Sequence, residues 1–137
     1  VTTVPLLLLA DEEEAMIDRY LERGTMYVLK DGDVKAECLV TDEGDGILEI
    51  KSLATLPQFQ HRGYAKALVN FIEAKYKGRF KILQAGTGDS PATVPFYQKL
   101  GFVRSHIIKN FFTDNYSRPI YDGGVLLTDM VYLRKRL

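Results

Sequence analysis

The chain holds one cysteine, no tryptophan and two histidines among its 137 residues. A single thiol cannot close an internal disulfide, so the fold must rest on its core, and a reducing cytoplasm is the expected compartment. His61 and His106 stand far apart and away from other ligand types, so no metal site is expected. There is no excess charge of either sign, with 18 acidic and 18 basic residues. That argues against the broad basic footprint of a nucleic-acid or membrane-surface binder. The basic end Arg134-Lys135-Arg136 reads as a solvated terminus. The one leucine run, Leu6 to Ala10, is too short to span a bilayer and is followed at once by Asp11-Glu12-Glu13-Glu14, so it is read as neither signal peptide nor anchor.

What is present suits one domain over residues 1–137, long enough to bury a core. Asp11 as N-cap, with Glu14 in capping-box position and Ile17, Tyr20 and Leu21 on one face, predicts a helix from about 12 to 23. Met26 to Lys30 and Val34 to Thr41 are strand-like around the turn Asp31-Gly32-Asp33, and a polar turn leads to a strand from Ile47 to Ala54. Residues 64 to 77 space Ala65, Leu68, Val69, Ile72 and Tyr76 as one helical face, ahead of a strand from Phe80 to Gln84. This gives an antiparallel meander followed by a parallel βαβ unit, a mixed α/β sheet. After Gly86-Thr87-Gly88-Asp89-Ser90-Pro91 come a helix ending at Leu100, a strand near 102 to 109, a long aromatic loop from 110 to 124 and a last strand from Val125 to Leu133.

Two segments carry chemistry. In Leu53-Ala54-Thr55-Leu56-Pro57-Gln58-Phe59-Gln60-His61-Arg62-Gly63-Tyr64-Ala65-Lys66, an apolar strand passes through a short loop into Gln-x-x-Gly-x-Ala and a helix. The first turn of a helix leaves N–H groups without internal partners, and these bind phosphate. Gly63 and Ala65 are small enough for a phosphate to reach the main chain. By itself the pattern is equally a helix entry packed closely on a sheet. The second segment is Pro95-Phe96-Tyr97-Gln98-Lys99-Leu100-Gly101-Phe102, a short helix closed by a glycine.

Together the two segments resemble the acyl-CoA core of the GNAT N-acetyltransferase superfamily, over roughly residues 26 to 133. The resemblance implies a GNAT-like fold with its central strands splayed, the pantetheine arm of acetyl-CoA lying along Leu53, Ala54 and Thr55. It places the pyrophosphate on the backbone from His61 to Lys66, with Gln60, His61, Arg62, Gly63, Tyr64, Ala65 and Lys66 as cofactor-binding positions. Many members carry an Asn in the loop before the second segment; here Asp89 and Ser90 stand there, and Ser90 is taken as the binding position. The same loop lacks the Gly-Lys-Ser/Thr ending of a nucleotide-binding phosphate loop.

An acceptor amine with a pKa near 10.4 is neutral about once in 10³ molecules at neutral pH, so a base is required. Glu49 matches the base position of some family members, and Tyr97 matches the tyrosine at the thioester sulfur. The competing accounts are an ion pair or solvent for Glu49 and a core hydrogen bond for Tyr97. A main-chain N–H near Thr55 would suit the thioester oxygen. Cys38, in step with Val34, Ala36 and Val40, reads as an inert buried thiol.

The expected function is therefore acetyl-CoA-dependent N-acetylation of a primary amine, on a small molecule or a protein, by direct attack. A CoA-binding regulatory or interaction module without turnover is the alternative. Phe111, Phe112, Tyr116 and Tyr121 would wall an acceptor pocket near Asp114, Asp122 or Asp129, or else form a packed loop or a homodimer contact.

Overall fold

Gly32 takes a φ of +81°, which only glycine adopts freely, and this lets the chain reverse between two strands. In the computed structural model, which describes residues 24–122 and 124–137, β1 (Thr25–Asp31) and β2 (Asp33–Asp42) form the resulting antiparallel hairpin. The helix expected over 12 to 23 and the Leu6 to Ala10 run lie outside the described residues. Asp42 then caps a tight turn, its carboxylate accepting the Gly44 N–H at 2.8 Å, and β3 (Ile47–Thr55) returns antiparallel to β2. The register of β2 against β3 shifts once. Leu39 faces Ser52 while Val40 faces Ile50, which leaves Lys51 as the extra residue of a bulge.

The described chain divides into two compact units, residues 24–83 with Leu137 and residues 84–136. In the first, the strand order runs β1-β2-β3, and α1 (Tyr64–Tyr76) buries Leu68, Val69, Ile72 and Tyr76. Of the face read from the sequence, all but Ala65, which is half-buried, are buried. Tyr27 of β1 sets its ring edge-on to Phe71 and Tyr76 of α1, at centroid distances of 5.5 and 6.2 Å. Ala36, Cys38, Val40 and Ile50 complete this core. A short 3-10 turn over Pro57–Phe59 joins β3 to α1.

In the second unit the order is β4-β8-β5, where β4 (Ile82–Gly88) begins within the first unit, β5 is Val103–Ile108 and β8 is Met130–Arg136. Between them lie α2 (Val94–Lys99), α3 (Phe111–Asn115) and the short hairpin of β6 (Tyr121–Asp122) and β7 (Val125–Leu126). Taken as a whole the chain is a mixed α/β fold, mostly antiparallel with a parallel pair.

Three expectations are corrected here. The fourth strand runs to Gly88, so Gly86-Thr87-Gly88 is strand and not loop. Its glycines admit close neighbours: a methyl at Gly86 would stand 2.8 Å from Tyr132 Cε1, and one at Gly88 would stand 2.6 Å from Leu127 Cδ1. The single strand expected from Val125 to Leu133 is two, β7 and β8. The basic end is no solvated tail, because Arg134 Nε donates to Gln84 Oε1 at 2.7 Å and Lys135 Nζ to the Leu100 carbonyl at 2.6 Å.

Candidate active site

Gly63 caps α1 with a φ of +83°, and His61 just before it is also left-handed at +64°. Left-handed residues at a helix entry are the backbone geometry from which anion-binding concavities are built. Among the described residues no protein acceptor meets any N–H from His61 to Lys66. The first main-chain bond of α1 runs from the Ala67 N–H to the Gly63 carbonyl at 2.9 Å. No protein atom lies within 4 Å of where a Gly63 side chain would begin. The main chain there is therefore open to a ligand and still has its donors to offer.

The surrounding side chains hold the loop. Gln60 Nε2 donates to the Thr55 carbonyl at 3.4 Å, and Tyr64 Oη donates to Asp31 Oδ2 at 2.8 Å. His61, Arg62 and Lys66 are exposed. Phe59, which the sequence reading passed over, is flanked by two cations, with Lys35 Nζ 3.8 Å and Arg62 Cζ 5.5 Å from its ring centre. Upstream, Leu53, Ala54 and Thr55 pair with Cys38, Glu37 and Ala36 of β2.

Glu49 is buried on β3, 4% exposed, and its Oε2 lies 2.7 Å from Lys51 Nζ. Lys51 also reaches Glu43 at 3.9 Å. The ion pair expected as the competing account is therefore present, and it is made with Lys51 itself.

In the second unit, Tyr97 is placed by the end of its helix. The Phe102 N–H bonds the Tyr97 carbonyl at 3.1 Å and the Gly101 N–H bonds the Gln98 carbonyl at 3.0 Å, with Gly101 at φ +95°. These are the two bonds of a Schellman motif, and the apolar contact that accompanies the motif is Tyr97 against Phe102, centroids 5.3 Å apart. The Tyr97 side chain is buried, and its location follows from Gly101 and Phe102. Ser90 is buried as well, and its hydroxyl accepts the Ala92 N–H at 3.0 Å, so it shapes the turn into α2. Asp89 pairs with Arg104 at 3.0 Å.

Comparison with known proteins decides the family. The family model described as an acetyltransferase (GNAT) domain matches residues 22–104. The chain belongs to the GNAT acetyltransferases. It is 36% identical over 131 residues to YvbK of Bacillus subtilis, named an uncharacterized N-acetyltransferase, covering 93% of this chain and 84% of that protein. Among solved structures it resembles a GNAT family acetyltransferase from Elizabethkingia anophelis with acetyl-CoA bound, at 35% identity and a TM-score of 0.93, covering 100% of this chain and 92% of that one. A protein titled IAA acetyltransferase from Bacillus cereus is similar at 31% identity and a TM-score of 0.93, covering 100% and 93%.

As a GNAT acetyltransferase the protein is an acyltransferase, and acetyl-CoA is its cosubstrate. The open amides at Gly63 fit the diphosphate of that molecule. Among the described residues no group of three His, Cys, Asp or Glu side chains is placed to hold a metal, and no helix is long and apolar enough to cross a membrane. Cys38 is fully buried, and burial, with the charge of Glu37 adding to it, pushes its thiol far up, away from the reactive thiolate.

Two features of this GNAT acetyltransferase bear on the sequence reading, the first agreeing with its packed-loop alternative and the second absent from it. The aromatic loop packs on itself: Phe112, Ile120 and Leu127 form a small core with Phe111, Tyr116 and Met130 against it. Asp129 serves that loop, accepting the Asn110 N–H at 2.9 Å, while Tyr121 stays 61% exposed. The second feature is Glu37, which no motif marked. It is wholly buried on β2, with Oε1 accepting from Ser52 Oγ at 2.6 Å, and burial raises its pKa to about 7 against a smaller lowering by Ser52.

Proposed function

We propose that the protein transfers the acetyl group of acetyl-CoA to a primary amine, of a small molecule or a protein, by direct attack in a ternary complex. The observation that carries this reading is the row of unpartnered amides from His61 to Lys66 around a left-handed Gly63. Bound acetyl-CoA supplies an activated carbonyl and a thiol leaving group; the protein supplies position and proton handling. In this reading Leu53, Ala54 and Thr55 hold the pantetheine arm, and His61 to Lys66 hold the diphosphate with Gln60 bracing the loop. Residues 1–137 act as one domain, in a reducing cytoplasm suited to the buried Cys38.

The amine arrives protonated, and stripping it at neutral pH costs about 4.6 kcal/mol for an ordinary alkylamine. By the family resemblance Glu49 is the carboxylate for that task. Its ion pair with Lys51 at 2.7 Å holds it in place on β3, where it would draw in an ammonium and take its proton through water. Tyr97 donates to the departing sulfur, from a location its Schellman motif holds before any ligand arrives.

The test has two stages. Acetyl-CoA at about 100 times its Kd is expected to add about 2.7 kcal/mol to apparent stability, read as a rise in Tm. Release of CoA thiol across a panel of amines, polyamines, aminoglycosides and peptides then separates transfer from mere binding, and mass spectrometry identifies the product. A protein that acetyl-CoA leaves unmoved would sink the reading, and one that is stabilised without ever releasing thiol would be the regulatory module instead. Tyr97→Phe is expected to lower kcat on the order of 10²-fold while leaving the acetyl-CoA midpoint in place. Wild-type turnover in that variant removes Tyr97 from the chemistry.

A further inference from the structure

Alternation along β2 puts Glu37, Leu39 and Thr41 on one face of the strand and Ala36, Cys38 and Val40 on the other. The second face is the one α1 covers, because Tyr27, directly across from Cys38, packs on Phe71 and Tyr76. Glu37 therefore lies on the face away from α1. Thr41 is paired with Glu49, so the bulge at Lys51 brings Glu49 onto that same face. Two carboxylates thus share one side of the sheet, separated by four residues of β2, about 13 Å at the usual strand rise.

Their neighbours differ. Glu37 is directly opposite Ala54, the middle of the stretch assigned above to the pantetheine arm. Side chains in such pairs have Cβ atoms roughly 5 Å apart. Glu49 is clamped by Lys51, whereas Glu37 Oε2 has no hydrogen-bond partner among the described residues. A buried carboxylate oxygen left unmatched is costly, and it is tolerated where something other than the fold requires it.

We propose that Glu37, in place of Glu49, is the catalytic base of the transfer, accepting the proton that the acceptor amine loses as it meets the thioester. The inference rests on the transferase reading. In the step, the ammonium gives one proton to Glu37 Oε2, directly or through one water, and the freed nitrogen lone pair forms the C–N bond to the acyl carbon. The C–S bond breaks with its electron pair going to sulfur, which leaves as the thiol with the second nitrogen proton. The third stays on the amide, and Glu37 returns its own to solvent. A carboxylate that titrates near neutrality suits this work, because it is ionised at the operating pH and still basic. The groups around it are Ser52, which holds Oε1, the Cys38 thiol next along β2, uncharged Val28 across on β1, and the more distant Glu49, Lys51 and Glu43.

The experiment compares wild type, Glu37→Gln, Ser52→Ala and Glu49→Gln for acetyl-CoA stabilisation and for thiol release from pH 5.5 to 9. It adds ¹³C NMR of glutamate carboxyls in the ligand-free protein. Glutamine keeps the size of the side chain and an oxygen for Ser52, so Glu37→Gln is expected to bind acetyl-CoA as wild type does. Its turnover should fall 10²- to 10³-fold, roughly the loss of a general base, and the acid limb of its pH profile should vanish. Glu49→Gln should keep that limb. Ser52→Ala should move the limb to higher pH, and in the NMR spectrum a carboxyl titrating at about 7 should be absent from Glu37→Gln. Turnover within twofold of wild type in Glu37→Gln with the limb intact overturns the proposal while leaving the transferase reading standing. No carboxyl titrating above the ordinary glutamate range likewise overturns it. Failure of acetyl-CoA to stabilise the wild type overturns both.

Discussion

Gly63→Val is expected to weaken acetyl-CoA binding on the order of 10²-fold or more, measured by calorimetric titration. The site would lose hydrogen bonds from main-chain donors to a charged phosphate, worth roughly 1.5–3 kcal/mol each, and two such bonds make about 3 kcal/mol or more, a hundredfold in Kd. The mechanism is local. A φ of +83° is unfavourable for valine, and its branched side chain would stand in the open space above the amides. The backbone strain alone lowers stability by about 1–2 kcal/mol, so a control is needed. Gly78 supplies it: it too is left-handed, at φ +86°, with no protein atom within 4 Å, and it lies beyond the other end of α1. Gly78→Val should lose a similar amount of stability and no affinity. Equal affinity for acetyl-CoA in Gly63→Val and wild type would remove the diphosphate from this loop.

Glu37→Gln should also change how stability depends on pH. The folded pKa of Glu37 is about 7 against an ordinary 4.5, so between those values the native state binds more proton than the unfolded chain. Stability then falls as pH rises across that window. The contribution of the buried neutral acid is fully present below pH 4.5, and it is lost by the time pH passes 7. The span corresponds to about 3 kcal/mol, roughly 10 °C in Tm for a domain of this length. Glutamine cannot ionise and escapes that loss. The Tm difference, Glu37→Gln minus wild type, should therefore grow from pH 4.5 to 7 and level off above it. Whatever constant offset the buried amide brings, the slope of that difference is the readout, and parallel curves would show that Glu37 does not titrate from a buried site. A substitution that strengthens the fold above neutrality while crippling turnover is the trade-off expected of a group kept for chemistry.

Much of this was legible in the residues. Asp31-Gly32-Asp33 announced a reversal, the spacing of Leu68, Val69, Ile72 and Tyr76 announced a buried helical face, and Leu100-Gly101-Phe102 announced a glycine-closed helix. Each is a local signal in which the side chains set the backbone. The end of β4 was not legible for the opposite reason: Gly86 and Gly88 look like a loop until Tyr132 and Leu127 are seen lying against them. The closed packing of Phe112, Ile120 and Leu127 likewise depends on residues that meet only after folding. Glu37 escaped because the alternation of Val34, Ala36, Cys38 and Val40 suggests one buried face and one wet one. The signal was there in another form. Ala36-Glu37-Cys38-Leu39-Val40 is apolar at every position but one, the pattern of a strand covered on both sides, and a lone carboxylate in such a run is conspicuous.

Because the cradle proposed at Gly63 is made of peptide groups, its recognition chemistry would be independent of most side chains that decorate it. His61, Arg62 and Lys66 could then be exchanged without erasing the proposed grip, as long as the left-handed backbone of this loop persists. One achiral residue would thus carry a constraint that His61, Arg62 and Lys66 do not share.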